Sequence, residues 1–265
     1  MKESQKIILN STVLYVIAFL LTTIIHEFGH AIIGYIYGSN PILHHNYVEH
    51  LKIENLPVFN KVFISMAGPL FSLIQGFLAG FMFFKTKNQS YYKLFLLWFS
   101  ILGFSNFLGY LMTGPIFQKG DIGKIFLLMN IPLILQLFIA FIGTAILFYL
   151  GYKLTIHFLK FSYKEEWIFS AKSRENFAFK IIILPWLIGA SIVTILYLPI
   201  IAIVSIIYPV TSGMIFIFPW KNAKRITNLE ISKDNKIGKY SLGLYLLFLI
   251  LIVIFKLFLA PGIVL

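Results

Sequence analysis

Five consecutive residues carry the strongest chemical signal in the chain: His26-Glu27-Phe28-Gly29-His30, an H-E-x-x-H pattern. On an α-helix, His26 and His30 stand one turn apart on one face. Two imidazoles so placed can grip one Zn²⁺, and Glu27 stands where a general base takes a proton from water. The pattern is short, and soluble helices carry it by accident. Its setting argues otherwise, because Glu27 lies among Leu20, Leu21, Ile24, Ile25, Ala31, Ile32 and Ile33. An ionised carboxylate at the centre of a membrane helix costs roughly 2.5–3.5 kcal/mol, which a sequence does not usually keep without a partner or a job.

The elements around this pentapeptide are membrane helices. The 265 residues are 59% hydrophobic and only 12% charged, against about 25% charged in soluble domains; mean hydropathy is +0.87. Apolar runs long enough to cross about 30 Å of hydrocarbon recur and do not alternate as barrel strands would. The expected fold is an all-α polytopic bundle with the metal site inside it, in a bacterial cytoplasmic membrane. With no cysteine, any metal must be held by His, Asp or Glu. The net charge of +12 suits cytoplasmic loops and anionic headgroups, with the lipid bilayer and not nucleic acid as the partner. Lys2 and Lys6 ahead of an apolar run look like a signal sequence, but the run continues for some thirty residues and reads as a retained span.

The first span is expected over about Ile8–Tyr37, stopped by Gly38-Ser39-Asn40-Pro41. In the polar loop Ile42–Pro57, His44, His45, His50, Glu49 and Glu54 read as interfacial residues in preference to a second ligand set or a lid. A second span covers Val58–Phe84, with Gly68-Pro69 near its start as a kink or close approach. A third covers Leu94–Met112 and holds Asn106, an amide that needs a partner in lipid. The Gly/Pro-rich break Thr113–Gly123 contains Asp121, one of two aspartates with Asp234. Asp121 suits an N-cap for a helix from Ile122, a role compatible with metal ligation. A fourth span is expected over Ile125–Tyr152, then a basic amphipathic loop Lys153–Lys180 at headgroup level anchored by Trp167. Ile181–Trp220 is too long for one span. It is either two short spans turning near Pro199 or one tilted span plus a partial helix. Lys221–Lys239 is basic again, and Leu242–Leu259 is the last span. Six or seven spans result. Residues 1–130 form a catalytic membrane core and 131–265 add further helices and basic loops, with no soluble domain.

Three features in this order resemble the intramembrane zinc metalloproteases of the site-2 protease class: His26-Glu27-Phe28-Gly29-His30, then Ala67-Gly68-Pro69-Leu70, then Asn106 followed by Gly120-Asp121. The resemblance covers roughly residues 15–130. Two departures stand out: Gly120-Asp121-Ile122 replaces a Leu-Asp-Gly third motif, and Ser72 stands where an Asn commonly follows Gly-Pro. The resemblance implies Zn²⁺ held by His26, His30 and Asp121, Glu27 as base, and Asn106 as hydrogen-bond donor to the oxyanion. The implied reaction is hydrolysis of a peptide bond in or beside a membrane segment of a protein or peptide substrate.

Two other readings stay open. Glu165 or Glu166 replaces Asp121 as third ligand, or the chain is a non-catalytic transporter or assembly factor that uses the buried His and Glu as a proton relay. On orientation the expectations conflict. Lys and Arg in the loops put the N-terminus inside and His26–His30 in the half of the first span farther from the cytoplasm, whereas the resemblance implies cleavage near the cytoplasmic face.

Overall fold

The structure is a computed structural model that describes residues 2–199, 204–227, 229, 231, 235 and 237–265. Its helices are α1 (Glu3–Ile36), α2 (Val58–Lys85), α3 (Tyr91–Thr113), α4 (Asp121–Leu128), α5 (Leu133–Leu159), α6 (Ala171–Ala178), α7 (Leu184–Leu196), α8 (Val204–Thr211), α9 (Ile217–Asn222) and α10 (Leu242–Val253). Three short strands, β1 (Pro41–Leu43), β2 (Val48–His50) and β3 (Ile263–Val264), are the only sheet among the described residues. Six helical stretches among the described residues are long and apolar enough to cross a membrane: α1, α2, α3, α5, Ala171–Leu196 and Leu242–Leu259. The chain is thus a helical, multi-pass membrane protein.

Several sequence boundaries move. The fourth span starts at Leu133 and not at Ile125, because the chain breaks at Asn130, whose φ of 50° is left-handed, and Pro132 follows. This leaves α4 as a separate short helix. The basic segment expected over Lys153–Lys180 is mostly helix: α5 runs on to Leu159, and α6 continues through a π-turn (Phe179–Ile183) into α7. After Leu196 the described tract is broken into α8, α9 and 3₁₀ turns, and it folds back on itself: Trp186 Nε1 donates to Pro209 O, and Arg174 near its start donates to Ala223 O and Lys224 O near its end. Residues 200–203, just beyond the expected turn at Pro199, lie outside the described residues. The loop Ile42–Pro57 holds an antiparallel hairpin, Pro41 opposite His50, and β3 pairs the other edge of β1.

The chain divides into two compact units, residues 1–19, 78–101 and 148–249, and residues 20–77, 102–147 and 250–265. The first is centred on aromatic rings. Trp98 lies edge-on to Tyr15 at 5.1 Å and Phe216 at 5.1 Å, and its indole donates to Ser11 Oγ at 3.1 Å. Ser11 in turn donates to Ile181 O at 2.8 Å. Arg174, expected at headgroup level, is buried here, and its guanidinium donates to Ile168 O, Ala223 O and Lys224 O. Backbone oxygens take the place of the water a buried guanidinium gives up.

The second unit is built on close backbone approach, the packing that replaces a hydrophobic driving force between helices in lipid. A Cβ at Gly29 would stand 2.8 Å from Ala67 O, and one at Gly103 would stand 2.6 Å from Ser72 O. Gln75 on α2 donates to Thr22 Oγ1 on α1 at 2.8 Å. α4 is pinned by Ile122, Ile125 and Phe126 against Val62 and Met66 of α2 and Tyr110 and Leu111 of α3. In the hairpin, His45 meets Phe255 edge-on at 4.9 Å, and His50 shares a 2.7 Å hydrogen bond with Ser39 Oγ.

Two predictions follow from this packing. Gly103→Ala will lower thermal stability by about 1–3 kcal/mol, since backbone must shift. Gly109→Ala on the same helix, with nothing within 4 Å, will leave it unchanged or raise it by up to about 1 kcal/mol; equal melting of the two variants counts against close α2–α3 approach. In the hairpin, burial, with Lys256 and His44 nearby, pushes the His45 imidazole down to about 4. Burial, with His30 and Lys124 nearby, does the same to His50. The unfolded chain takes up these protons first, so this stability is complete above about pH 6.5 and is lost as pH falls toward 4. Protection of the amides across residues 41–50, taken relative to the intrinsic exchange rate at each pH, will fall over that window, and less so in His45→Gln.

Candidate metal centre

α1 brings two ring nitrogens to one point because His26 and His30 are four residues apart. Their Nε2 atoms are 3.1 Å from each other. Asp121 Oδ2 is 3.0 Å from His26 Nε2 and 3.3 Å from His30 Nε2. A metal with bonds of 2.0–2.1 Å in tetrahedral geometry holds its ligand atoms about 3.3 Å apart. The triangle therefore has the size of one face of such a coordination shell. Among the described residues this is the one group of three or more His, Cys, Asp or Glu that can hold a metal ion.

The outer bonds of the two rings fix what faces inward. His30 Nδ1 lies 2.6 Å from Ile64 O. A carbonyl only accepts, so Nδ1 carries the proton, and a neutral His30 presents a bare Nε2 lone pair to the triangle. His26 Nδ1 lies 3.3 Å from Ser72 Oγ, a hydroxyl able to play the same part. Two imidazole lone pairs and a carboxylate oxygen then converge on one point. Three acceptors repel one another unless a cation sits among them, so the donor set fits a metal. Such outer bonds are how proteins orient ligating histidines.

The Ala67-Gly68-Pro69 stretch explains how α2 serves this arrangement. A Cβ at Gly68 would stand 2.2 Å from His30 Nε2, so only glycine lets the ring lie against α2. Pro69, inside α2, has no N–H for Ser65 O, the carbonyl next in sequence to the Ile64 O that meets His30. Tyr110 of α3 stacks on the His26 ring at 5.3 Å with 10° between planes.

Asp121 is the first residue of α4, and Gly120 is the N-cap, with no side-chain cap bond. The sequence expectation of an Asp121 cap for a helix from Ile122 is corrected by one residue: its carboxylate is turned to the histidines. Burial pushes that carboxyl up, but positive charge at the position of His30 and His26, with their hydrogen bonds, holds Asp121 well below the usual carboxylate range. The helix N-terminus favours the same anion. Gly123 lets the preceding loop close on α4, since a Cβ there would stand 2.2 Å from Phe117 O.

Of the other residues singled out by sequence, Glu27 is buried, 9% exposed, beside His26. Asn106 is buried on α3, one turn before Tyr110 and so on the face that Tyr110 turns to His26. Glu165 and Glu166 lie on a 3₁₀ turn of the first unit and are not part of the metal-capable group. Nor are His44, His45 and His50, which instead hold the hairpin together: His44 stacks on Tyr47 at 4.2 Å, and its Nδ1 lies 3.2 Å from Ala260 O. Sequence reasoning missed Tyr110 and the supporting part of Ser72 and Ile64 O. The available signals were the i, i+4 step from Asn106 to Tyr110 and from Gly68 to Ser72; nothing in the sequence marks a backbone carbonyl. No protein-family model, curated protein or solved structure matches the chain.

The expected outcome of elemental analysis on the purified protein is a stoichiometric divalent metal, lost in His26→Ala, His30→Ala and Asp121→Ala and retained in Glu165→Ala and Glu166→Ala. Ser72→Ala will weaken metal affinity by about 10–100-fold, the usual effect of removing an outer-shell partner. Retention of metal by Asp121→Ala would remove it as a ligand.

Proposed function

We propose that the chain is an intramembrane zinc metalloprotease of the site-2 protease type, cutting a peptide bond in or beside a membrane-embedded segment of a protein or peptide substrate. The observation that carries this reading is the triangle of His26 Nε2, His30 Nε2 and Asp121 Oδ2, 3.0–3.3 Å on a side, with Glu27 next in sequence to the first ligand. Zinc suits a His₂Asp set without thiolates, and three protein ligands leave the fourth position that catalytic zinc keeps open. A bound zinc would supply Lewis acidity to the scissile carbonyl and make water a nucleophile near neutral pH.

The chain's own residues account for the rest. Glu27 takes a proton from the attacking water as its oxygen adds to the carbonyl carbon. It then delivers that proton to the departing amine as the C–N bond breaks. Asn106 donates a hydrogen bond to the carbonyl oxygen as negative charge develops there. Asp121, kept ionised, supplies the negative charge that balances the cation. The substrate is locally extended at the cut, because a helical carbonyl is engaged by its own helix. Lipid and a membrane segment are the partners, nucleic acid is not, and the site of action is a bacterial cytoplasmic membrane.

A second reading has an observation in its favour. The contacts of 3.0 and 3.1 Å are also hydrogen-bond lengths, as a proton relay in a transporter or assembly factor would need. Metal content and one substitution separate the two. Glu27→Gln will keep the metal and lose proteolysis by at least about 10²-fold, the scale of general-base contributions. Undiminished cleavage by Glu27→Gln would eliminate Glu27 as the base. Proton uptake by metal-free vesicles would favour the relay.

A further inference from the structure

The charges of this chain are not spread evenly along its helices. Among the described residues, all but five Lys and Arg belong to the first unit; the exceptions are Lys52, Lys61, Lys119, Lys124 and Lys256. The four basic segments read from sequence are the N-terminus, Lys85–Lys93, Lys153–Lys180 and Lys221–Lys239, and all fall in that unit. Every residue of the metal centre falls in the other: His26, Glu27, His30, Gly68, Ser72, Asn106, Tyr110 and Asp121.

Along single helices, the separation of these residues can be read as a depth. α1 is one continuous helix of 34 residues, about 50 Å long, against about 30 Å of hydrocarbon. Lys6 and His26 are both on it, and the rise per residue puts about 30 Å between them. A tilt of about 20° shortens that only to about 28 Å. Two other helices repeat the measurement independently. On α2, Gly68 precedes Lys85 by about 25 Å of helix, and on α3, Tyr110 follows Lys93 by about 25 Å. In all three the metal centre is near the end opposite these lysines; Lys61, in the first turn of α2, is the one lysine of the three helices on the centre's side. If the lysine-bearing ends stand at one headgroup layer, the centre stands at or just inside the opposite one.

Loops rich in Lys and Arg stay in the cytoplasm. We infer that the metal centre opens toward the non-cytoplasmic face and that its substrate is a polypeptide segment at or beyond that face, such as a membrane protein's juxtamembrane stretch on the outer side or an exported chain. This reverses the orientation that the resemblance implies. It also eases a physical difficulty: water reaches a site at the outer boundary of the hydrocarbon without a deep cavity through lipid-facing helices. A substrate segment there is already leaving the bilayer, where its carbonyls exchange helical hydrogen bonds for water at little cost.

The substrate class rests on the peptidase reading; the orientation does not, and the test keeps them apart. The chain has no cysteine, so a single introduced thiol is the only one present. Asn55→Cys and Gln118→Cys report on the loops that follow α1 and α3; Asn88→Cys and Ala171→Cys report on two basic segments. All four positions are exposed, and none of these changes alters charge. The full chain, produced in bacterial cells, is treated with a membrane-impermeant maleimide before and after permeabilisation. The expected result is labelling of residues 55 and 118 in intact cells, and of 88 and 171 only after permeabilisation. The reverse pattern overturns the inference. In parallel, newly formed protein N-termini are compared between cells carrying the wild type and Glu27→Gln. New termini on outer-facing segments support the substrate class, and termini on cytoplasmic segments overturn it. The expected labelling together with a metal-free wild type would leave the orientation standing and remove the peptidase.

Discussion

The centre depends on one close approach. The His30 ring lies where a Cβ of residue 68 would be, and Gly29 of α1 meets Ala67 O of α2 in the same crossing. Because the backbones touch there, Ile64 O is within 2.6 Å of His30 Nδ1 and Ser72 Oγ within 3.3 Å of His26 Nδ1. The carbonyl sets the tautomer of His30, the hydroxyl is able to accept from His26 in the same way, and both Nε2 atoms then face Asp121. A methyl group at position 68 would separate the helices or displace the ring. The spacing of the ligand atoms is thus a consequence of glycine placement in two helices as much as of the histidines themselves.

The bilayer explains why the arrangement must be so closely satisfied. In hydrocarbon, a carboxylate without a partner costs roughly 2.5–3.5 kcal/mol, a large share of a domain's stability. Asp121 meets both imidazoles, each imidazole has a partner for its second nitrogen, and Arg174 in the other unit is met by backbone carbonyls from two segments. These are two solutions to one problem. The arginine is neutralised by dipoles and is structural, whereas the histidines and aspartate converge three acceptors on a point and so call for a cation.

The short helix α4 shows how a metal-capable carboxylate can be supplied at the end of a loop without sacrificing rigidity. Its apolar face is buried against α2 and α3, while Gly114, Gly120 and Gly123 let the preceding loop fold onto it without side chains in the way. Asp121 then sits at a helix start, where its charge is favoured, with its backbone held from both sides. Tyr110 serves twice, packing on the α4 cluster and stacking on His26, so α3 couples the position of the loop ligand to that of the helix ligands.

Periodicity and composition by themselves determined that this is a multi-pass helical chain, and the i, i+4 spacing of His26 and His30 determined that both rings share a face. Those are local properties, set by helix geometry and by the cost of polar groups in lipid. The choice of Asp121 from among the chain's carboxylates was suggested in sequence only by resemblance; its meeting with the histidines depends on a chain reversal across 91 residues from His30, which no local pattern encodes. The break at Asn130 was hidden because an apolar run on both sides looks continuous, and a single left-handed residue interrupts it without changing hydropathy. The hairpin of β1 and β2 was hidden because three-residue strands show too few alternations to register. Tyr110, Ser72 and Ile64 O became visible only in three dimensions, since a stacking ring, a hydroxyl and a carbonyl acquire their role from what lies beside them, and in this chain their neighbours come from other helices.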